Sequence, residues 1–311
     1  MNFINRVAPE LRAGLHELAV FQLPEDLMKA RLDAAPVVQV SDDVEIENVY
    51  IRGVHGDELQ LRIYTPAHTE TAEKPALLWI HGGGMILGRP EGDDRLCADF
   101  AIRAGCIVVS PNYRLAPEHP YPAGLEDCYT TLEWISSEAE ARKIDRSRIA
   151  VGGASAGGGL AAGLALLTRD RQGPKLCFQM PLYPMLDHRN VTPSSYEITH
   201  PSVWNRAHNV AAWEMYLGQD LKVNVPVYAS PNLAADLADL PPAYVCVGEL
   251  DLFRDEIMDY VARLARAGVQ VEFHLYPGCY HASEHVVPEA ESSQRIRNEY
   301  IERLTQALKS D

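Results

Sequence analysis

The chain has 311 residues, enough for one large α/β domain or two ordinary ones, and its 47% hydrophobic content excludes a disordered chain. Lys and Arg total 28 against 43 Asp and Glu, so the net charge is −15 and the surface should repel phosphate backbones and anionic lipid. Nucleic acid is therefore a poor fit as a partner, and no basic stripe argues otherwise, so none is expected. Six cysteines, at positions 97, 106, 128, 177, 246 and 279, form no C-x-x-C pair. They read as buried free thiols in a reducing compartment, not as a disulfide frame or a zinc site.

The first 45 residues carry a helical apolar pattern, with Leu11, Leu15, Leu18 and Ala19 on one face and Leu27, Ala30 and Leu32 after them. Charges interrupt this stretch every few residues, so it holds no signal-peptide core, and a cytoplasmic protein is expected. Two strand-like runs follow, Glu45 to Arg52 and Glu58 to Tyr64, joined by a Gly-containing turn from Val54 to Asp57. Beyond them the strands become short and continuously apolar: Ala76 to Ile80, Cys106 to Ser110, Ile149 to Gly152, Leu176 to Tyr183 and Ala243 to Val247. Helical stretches separate most of these. That alternation predicts a parallel sheet covered on both faces, with an antiparallel start. Between Asp187 and Val227 the rhythm stops. Some forty residues are too many for a structureless connection, so an inserted helical subdomain is expected, forming one lid with the N-terminal helices.

The one long uncharged run, Ile149 to Thr168, contains six glycines. It reads as a strand, a tight turn and a buried helix, not as a membrane span. Gly153-x-Ser155-x-Gly157 sits at that turn. A nucleophile shown on a sharp strand-to-helix turn needs small residues two positions either side, and the helix N-terminus behind it favours a developing anion. A glycine-rich turn with an incidental serine is the bland reading. A phosphate loop is disfavoured, because the Lys-Ser/Thr ending is missing.

Upstream, Ala76 to Ile80 runs into His81-Gly82-Gly83-Gly84. Acyl transfer places negative charge on a carbonyl oxygen, and fixed peptide N–H groups stabilise it. Gly83 and Gly84 are the expected donors, with Ala156 as a third. His81 reads as a hydrogen-bonded brace of the loop.

The acid and the base should follow in chain order on loops at the carboxyl ends of strands. The strand from Ala243 ends at Asp251, which position favours over Asp255 and Glu249. A helix cap is the alternative use of either aspartate. Val271 to Tyr276 alternates as a further strand and leads to His281; His274 lies within the strand, and His285 lies four residues beyond His281. His281 would take the serine proton while Asp251 holds its other nitrogen. No cluster has metal-ligand spacing, and no cofactor is expected.

Together these residues resemble the bacterial hormone-sensitive-lipase-like carboxylesterases, family IV of the α/β hydrolases. The resemblance lies at His81-Gly82-Gly83-Gly84, Asn112-Tyr113-Arg114-Leu115-Ala116-Pro117-Glu118 and Ser155-Ala156-Gly157-Gly158, and continues at Tyr183-Pro184-Met185-Leu186-Asp187 and Asp251-Leu252-Phe253-Arg254-Asp255-Glu256. It implies an α/β-hydrolase fold with a mostly parallel eight-stranded sheet flanked by helices. It also implies Ser155, Asp251 and His281 as the triad, and Gly83, Gly84 and Ala156 as the oxyanion hole. A helical cap from residues 1–45 and 188–226 over a catalytic domain of 46–187 and 227–311 goes with it, as do frequent homodimers. Two departures stand out: Ala154 replaces the Asp or Thr frequent before the serine, and Ala282-Ser283 replaces the frequent Gly-Phe. The expected activity is hydrolysis of small, uncharged carboxylic esters of short to medium acyl length. Trp204, Trp213, Met215 and Tyr216 are candidates for the substrate lining, with ordinary subdomain core as their other use. Amide hydrolysis by the same triad and a non-catalytic binding protein are the competing functions.

Overall fold

The apolar runs of the sequence become the central strands of one sheet in the computed structural model, which describes residues 3–32, 41–54, 56–67, 72–218 and 224–309. The strands are β1 (Val44–Arg52), β2 (Glu58–Pro66), β3 (Lys74–Ile80), β4 (Ile107–Pro111), β5 (Ile144–Ala154), β6 (Phe178–Leu182), β7 (Ala243–Leu250) and β8 (Val271–Tyr280). They lie in the order β1-β2-β4-β3-β5-β6-β7-β8. β1 and β2 pair antiparallel, as does β2 with β4, and the five pairings from β4 across to β8 are parallel. The expected antiparallel start and parallel remainder are both present. His55, in the turn expected at Val54 to Asp57, lies outside the described residues.

Continuous apolar strands need cover on both faces, and helices supply it. The helix Asp94–Ala104 packs beside Glu291–Ala307, and Ala123–Ser137 beside Ala156–Arg171. Trp79 of β3 shows the interlock. Its ring meets Phe100 at 5.0 Å between centroids, Phe100 meets Tyr300 at 5.8 Å, and the indole N–H donates to Asp93 at 2.8 Å. Burying such rings contributes roughly 1.5–3 kcal/mol each.

Two segments lie outside this sandwich. Among its described residues the N-terminal one forms short α-helices, Phe3–Arg6, Gly14–Glu17 and Leu27–Leu32, with a single 3-10 turn at Pro9–Leu11. Pro9 and Pro24 lie in the breaks between them, because proline offers no N–H to continue a helix. The other segment follows β6 and carries the helices Pro193–Glu197 and Arg206–Leu217. Thr192 and Asn205 cap their first turns, and the Asn205 side chain accepts the N–H groups of Ala207 and His208 at 2.9 and 3.2 Å. The two segments touch: Phe21 stacks on His208 with ring centroids 4.5 Å apart, and Phe3 stacks on His200 at 5.0 Å. No helix among the described residues is long and apolar enough to cross a membrane.

Candidate active site

Four parallel strands end at the same edge of the sheet, and each delivers one part of the site. β5 ends at Ala154 and turns at once into the helix Ala156–Arg171. Ser155 occupies the turn with φ 57° and ψ −117°, a region a side chain enters only under strain, costing on the order of 1–3 kcal/mol. The backbone on both sides holds it there. Ser155 N–H donates to the Leu182 carbonyl at 2.9 Å, and Met185 N–H donates to the Ser155 carbonyl at 3.0 Å. The small flanking residues are a geometric necessity. A Cβ on Gly157 would drive into the Ile80 carbonyl oxygen, and one on Gly153 into the Gly157 carbonyl oxygen.

β8 ends at Tyr280, so His281 follows directly; β7 ends at Leu250, so Asp251 follows directly. His281 Nε2 stands 2.9 Å from Ser155 Oγ, and its Nδ1 stands 2.7 Å from Asp251 Oδ2. The other Asp251 oxygen accepts the Phe253 N–H at 2.9 Å, and the carboxylate is fully buried. Tyr183 and Phe253 set their rings nearly perpendicular to the imidazole, at 5.1 and 5.2 Å, and so fix its plane. Such a chain of hydroxyl, imidazole and carboxylate lets the imidazole take the hydroxyl proton while the carboxylate offsets the charge it gains.

The rival residues have other work. Asp255 accepts the Ser194 N–H at 2.7 Å and the Arg254 side chain at 2.8 Å, tying the inserted segment to the helix Arg254–Arg266. Glu249 lies inside β7 and accepts the Gly278 N–H at 3.0 Å. His274 lies within β8 and faces Glu272 of the same strand and Glu299 of the helix Glu291–Ala307. His285, in the short helix Ser283–Val286, lines the Ser155 cavity but is hydrogen-bonded to neither Ser155 nor Asp251; its Nε2 lies 3.6 Å from Glu284.

β3 feeds the glycine loop. Gly83 and Gly84 take φ of 116° and 63°, values that favour glycine, and line the same cavity as Ser155. No carbonyl among the described residues accepts the N–H of either. Ala156 opens the helix behind the serine, where the first N–H groups have no helical partner. His81 turns away from this chemistry. It is buried and stacks on Tyr113 at 4.2 Å, and its Nδ1 donates to the Gly82 carbonyl at 2.8 Å. Burial lowers its proton affinity, keeping it neutral.

The cavity around Ser155 measures about 390 Å³ and takes Phe21, Ala30, Leu87, Tyr183 and Trp204 into its wall. A smaller space of about 180 Å³, between Leu18, Val203, Trp204, Val286 and His281, adjoins it. Of the four aromatic and Met candidates for the lining, only Trp204 lines the Ser155 cavity. A Cβ on Gly84 would meet its ring at 2.5 Å. Trp213, Met215 and Tyr216 do not line this cavity. The buried face of the helix Arg206–Leu217 turns Trp213 and Tyr216 inward, where Tyr216 packs edge-on against Tyr121 at 5.8 Å, and Met215 packs on the core. Helical periodicity buries these side chains against the body of the protein, whereas Trp204, ahead of the helix, is free to point at the loop. The apolar spacing marks Leu18 and Ala30 as parts of an expected lid, but no local pattern sets them or Phe21 beside the serine. Among the described residues no cluster of His, Cys, Asp or Glu could hold a metal ion.

Several known proteins similar to this chain are esterases. Residues 77–285 match the profile of the alpha/beta hydrolase fold family. The chain is 38% identical over 250 residues to the esterase LipI of Mycobacterium tuberculosis, covering 80% of this chain and 78% of that one. It is 31% identical over 276 residues to an arylesterase of Saccharolobus solfataricus, covering 88% and 83%. A solved bacterial heroin esterase superposes with a TM-score of 0.95 at 39% identity, over 99% of this chain and 100% of that one. With the fold, the motifs and these relatives in agreement, the chain belongs to the hormone-sensitive-lipase-like family IV of the α/β hydrolases and is a carboxylic ester hydrolase.

Proposed function

We propose that Ser155 is the nucleophile of a serine carboxylesterase, with His281 as general base and acid and Asp251 as the carboxylate that orients it. The hydroxyl–imidazole–carboxylate chain, at 2.9 and 2.7 Å, carries this reading. Ser155 Oγ attacks the ester carbonyl as His281 Nε2 takes its proton. The N–H groups of Gly83, Gly84 and Ala156 receive the oxyanion. Collapse breaks the ester C–O bond, His281 hands its proton to the departing alkoxide, and an acyl-enzyme remains. Water, activated by the same imidazole, then releases the acid and restores the serine.

Residues 1–45 and 188–226 act together as a cap on a catalytic domain of 46–187 and 227–311. The reading is supported by Phe21, Ala30 and Trp204 in the cavity wall and by the stacking of Phe21 on His208. A space of about 390 Å³ favours short to medium acyl chains over long ones. Six unpaired cysteines, five of them buried, suit a reducing compartment such as the cytoplasm.

A panel of p-nitrophenyl esters from acetyl to palmitoyl, run beside matching anilides, tests the proposal. Acetyl to hexanoyl esters should turn over with the highest kcat/KM, palmitoyl esters poorly and anilides slowly or not at all. A preference for palmitoyl over butanoyl esters would overturn the acyl-length reading, and faster cleavage of anilides would favour an amidase.

A further inference from the structure

We infer that Arg31, from the N-terminal helix Leu27–Leu32, is a positioning residue for the oxyanion loop. The inference rests on the reading of Gly83 and Gly84 as oxyanion donors. Its single guanidinium makes four hydrogen bonds. Nε donates to the Ile86 carbonyl at 2.8 Å, and Nη2 to the Ala116 carbonyl at 2.7 Å. Nη1 and Nη2 also grip the Glu118 carboxylate at 2.8 and 2.9 Å.

The place of those carbonyls gives the contact its consequence. Gly83, Gly84 and Met85 have φ of 116°, 63° and 61°, three consecutive residues in the positive region, and Met85 has no glycine freedom to spend there. A loop in such a conformation persists only if its surroundings determine it. The Gly83 carbonyl accepts the N–H groups of Ile86 and Leu87 at 3.1 and 2.8 Å, closing a tight turn. Ala116 N–H donates to the Met85 carbonyl at 2.9 Å, so the Asn112 to Glu118 segment backs the turn. Arg31 joins the two layers, holding Ile86 from the turn and Ala116 and Glu118 from its backing. A planar fork of five donors suits this, because a lysine ammonium cannot span two carbonyls and a carboxylate with fixed directions. Ala30, the residue beside it, lies in the wall of the Ser155 cavity. The N-terminal segment thus shapes the pocket with one residue and fixes the anion-binding backbone with the next.

Such a role predicts loss in the transition state and not in ground-state binding. In Arg31→Ala, kcat for p-nitrophenyl butanoate should fall by about 10- to 100-fold while KM stays within about 3-fold, since small misplacement of catalytic groups is costly. Inhibition by an alkyl trifluoromethyl ketone, whose adduct on serine carries an oxyanion, should weaken by the same factor as kcat/KM. Millimolar guanidinium should restore part of kcat. Glu118→Gln keeps both carbonyl contacts and should cost less. If Arg31→Ala does not fold, Arg31→Lys gives the same comparison. A folded Arg31→Ala protein with kcat within about 2-fold of wild type, or a loss confined to KM, would overturn the inference. Should the ketone fail to inhibit even the wild-type enzyme, the oxyanion assignment itself falls, a result separable from the first.

Discussion

Replacing Asp251 by asparagine separates Asp251 from Asp255 as the acid more sharply than any other change. The wild-type carboxylate accepts two N–H groups: Phe253 N–H at 2.9 Å on Oδ1 and His281 Nδ1–H at 2.7 Å on Oδ2. Asparagine has one acceptor oxygen and one NH2 group. The backbone N–H of Phe253 cannot change into an acceptor, so the oxygen stays there and the NH2 faces His281. Nδ1 must then accept, the proton moves to Nε2, and Nε2 meets the Ser155 hydroxyl as a donor. The base is lost with every heavy atom in place. The serine-protease precedent for this change is a loss of about 10⁴ in kcat, equivalent to about 5.5 kcal/mol of barrier. Asp255→Asn leaves this chain untouched. It weakens the contact with Arg254 and the Ser194 N–H, worth about 1 kcal/mol of stability, and should leave kcat within about 3-fold. Initial rates on p-nitrophenyl butanoate, normalised to folded protein by thermal melts, measure both. An Asp255→Asn protein more impaired than Asp251→Asn would refute the assignment of the acid and the tautomer reasoning with it.

Two further changes test the surroundings of the site. Ala282 takes φ 54°, a left-handed conformation, so Ala282→Gly should raise unfolding stability by up to about 1 kcal/mol in urea titrations; a loss would show that the strain is relieved elsewhere. Glu256 is buried, and one of its oxygens accepts the N–H groups of Leu186 and Asp187 at 2.8 and 3.1 Å while the other has no partner among the described residues. Burial holds its carboxyl well above the ordinary carboxylate range, whereas the unfolded chain ionises near 4.5. A raised folded value means stability that is full below pH 4.5 and is lost as pH climbs toward the folded value. Glu256→Gln keeps the accepting oxygen and removes the titration, so between pH 5 and 8 it should lose less stability than wild type in parallel urea titrations. Equal slopes would mean that Glu256 is ionised in the fold.

What the sequence disclosed was what is local. The serine turn needs Gly153 and Gly157 because carbonyl oxygens of neighbouring strands and turns fill the space where side chains would stand, and that demand leaves a short, readable pattern. The same holds for the glycine loop after β3 and for the residues that follow β7 and β8, since strand ends fix where a loop begins. The walls of the cavity left no such trace. Trp204, Trp213, Met215 and Tyr216 look alike in sequence. Only the phase of the helix Arg206–Leu217 against the body of the protein sends Trp213 and Tyr216 inward. Phe21 and Arg31 were missed for a related reason. Their partners lie far along the chain, His208 for the first and Ile86 and Ala116 for the second, so neither spacing nor periodicity marks them. The apolar spacing of the N-terminal segment marks a helical face, but it does not show that the helices stop around Pro9 and Pro24.

The central claim is that the hydroxyl of Ser155 becomes acylated. Intact-mass analysis during turnover of a slow ester, and after a fluorophosphonate that phosphonylates the same hydroxyl with loss of fluoride, with peptide mapping of each adduct, tests this in wild type and in Ser155→Ala. One adduct, on Ser155, is expected in the wild-type chain. None is expected in the alanine variant, which should stay folded with kcat reduced by about 10³-fold or more. An adduct on another residue, or a folded Ser155→Ala protein that hydrolyses p-nitrophenyl butanoate at a rate near that of wild type, would contradict that claim.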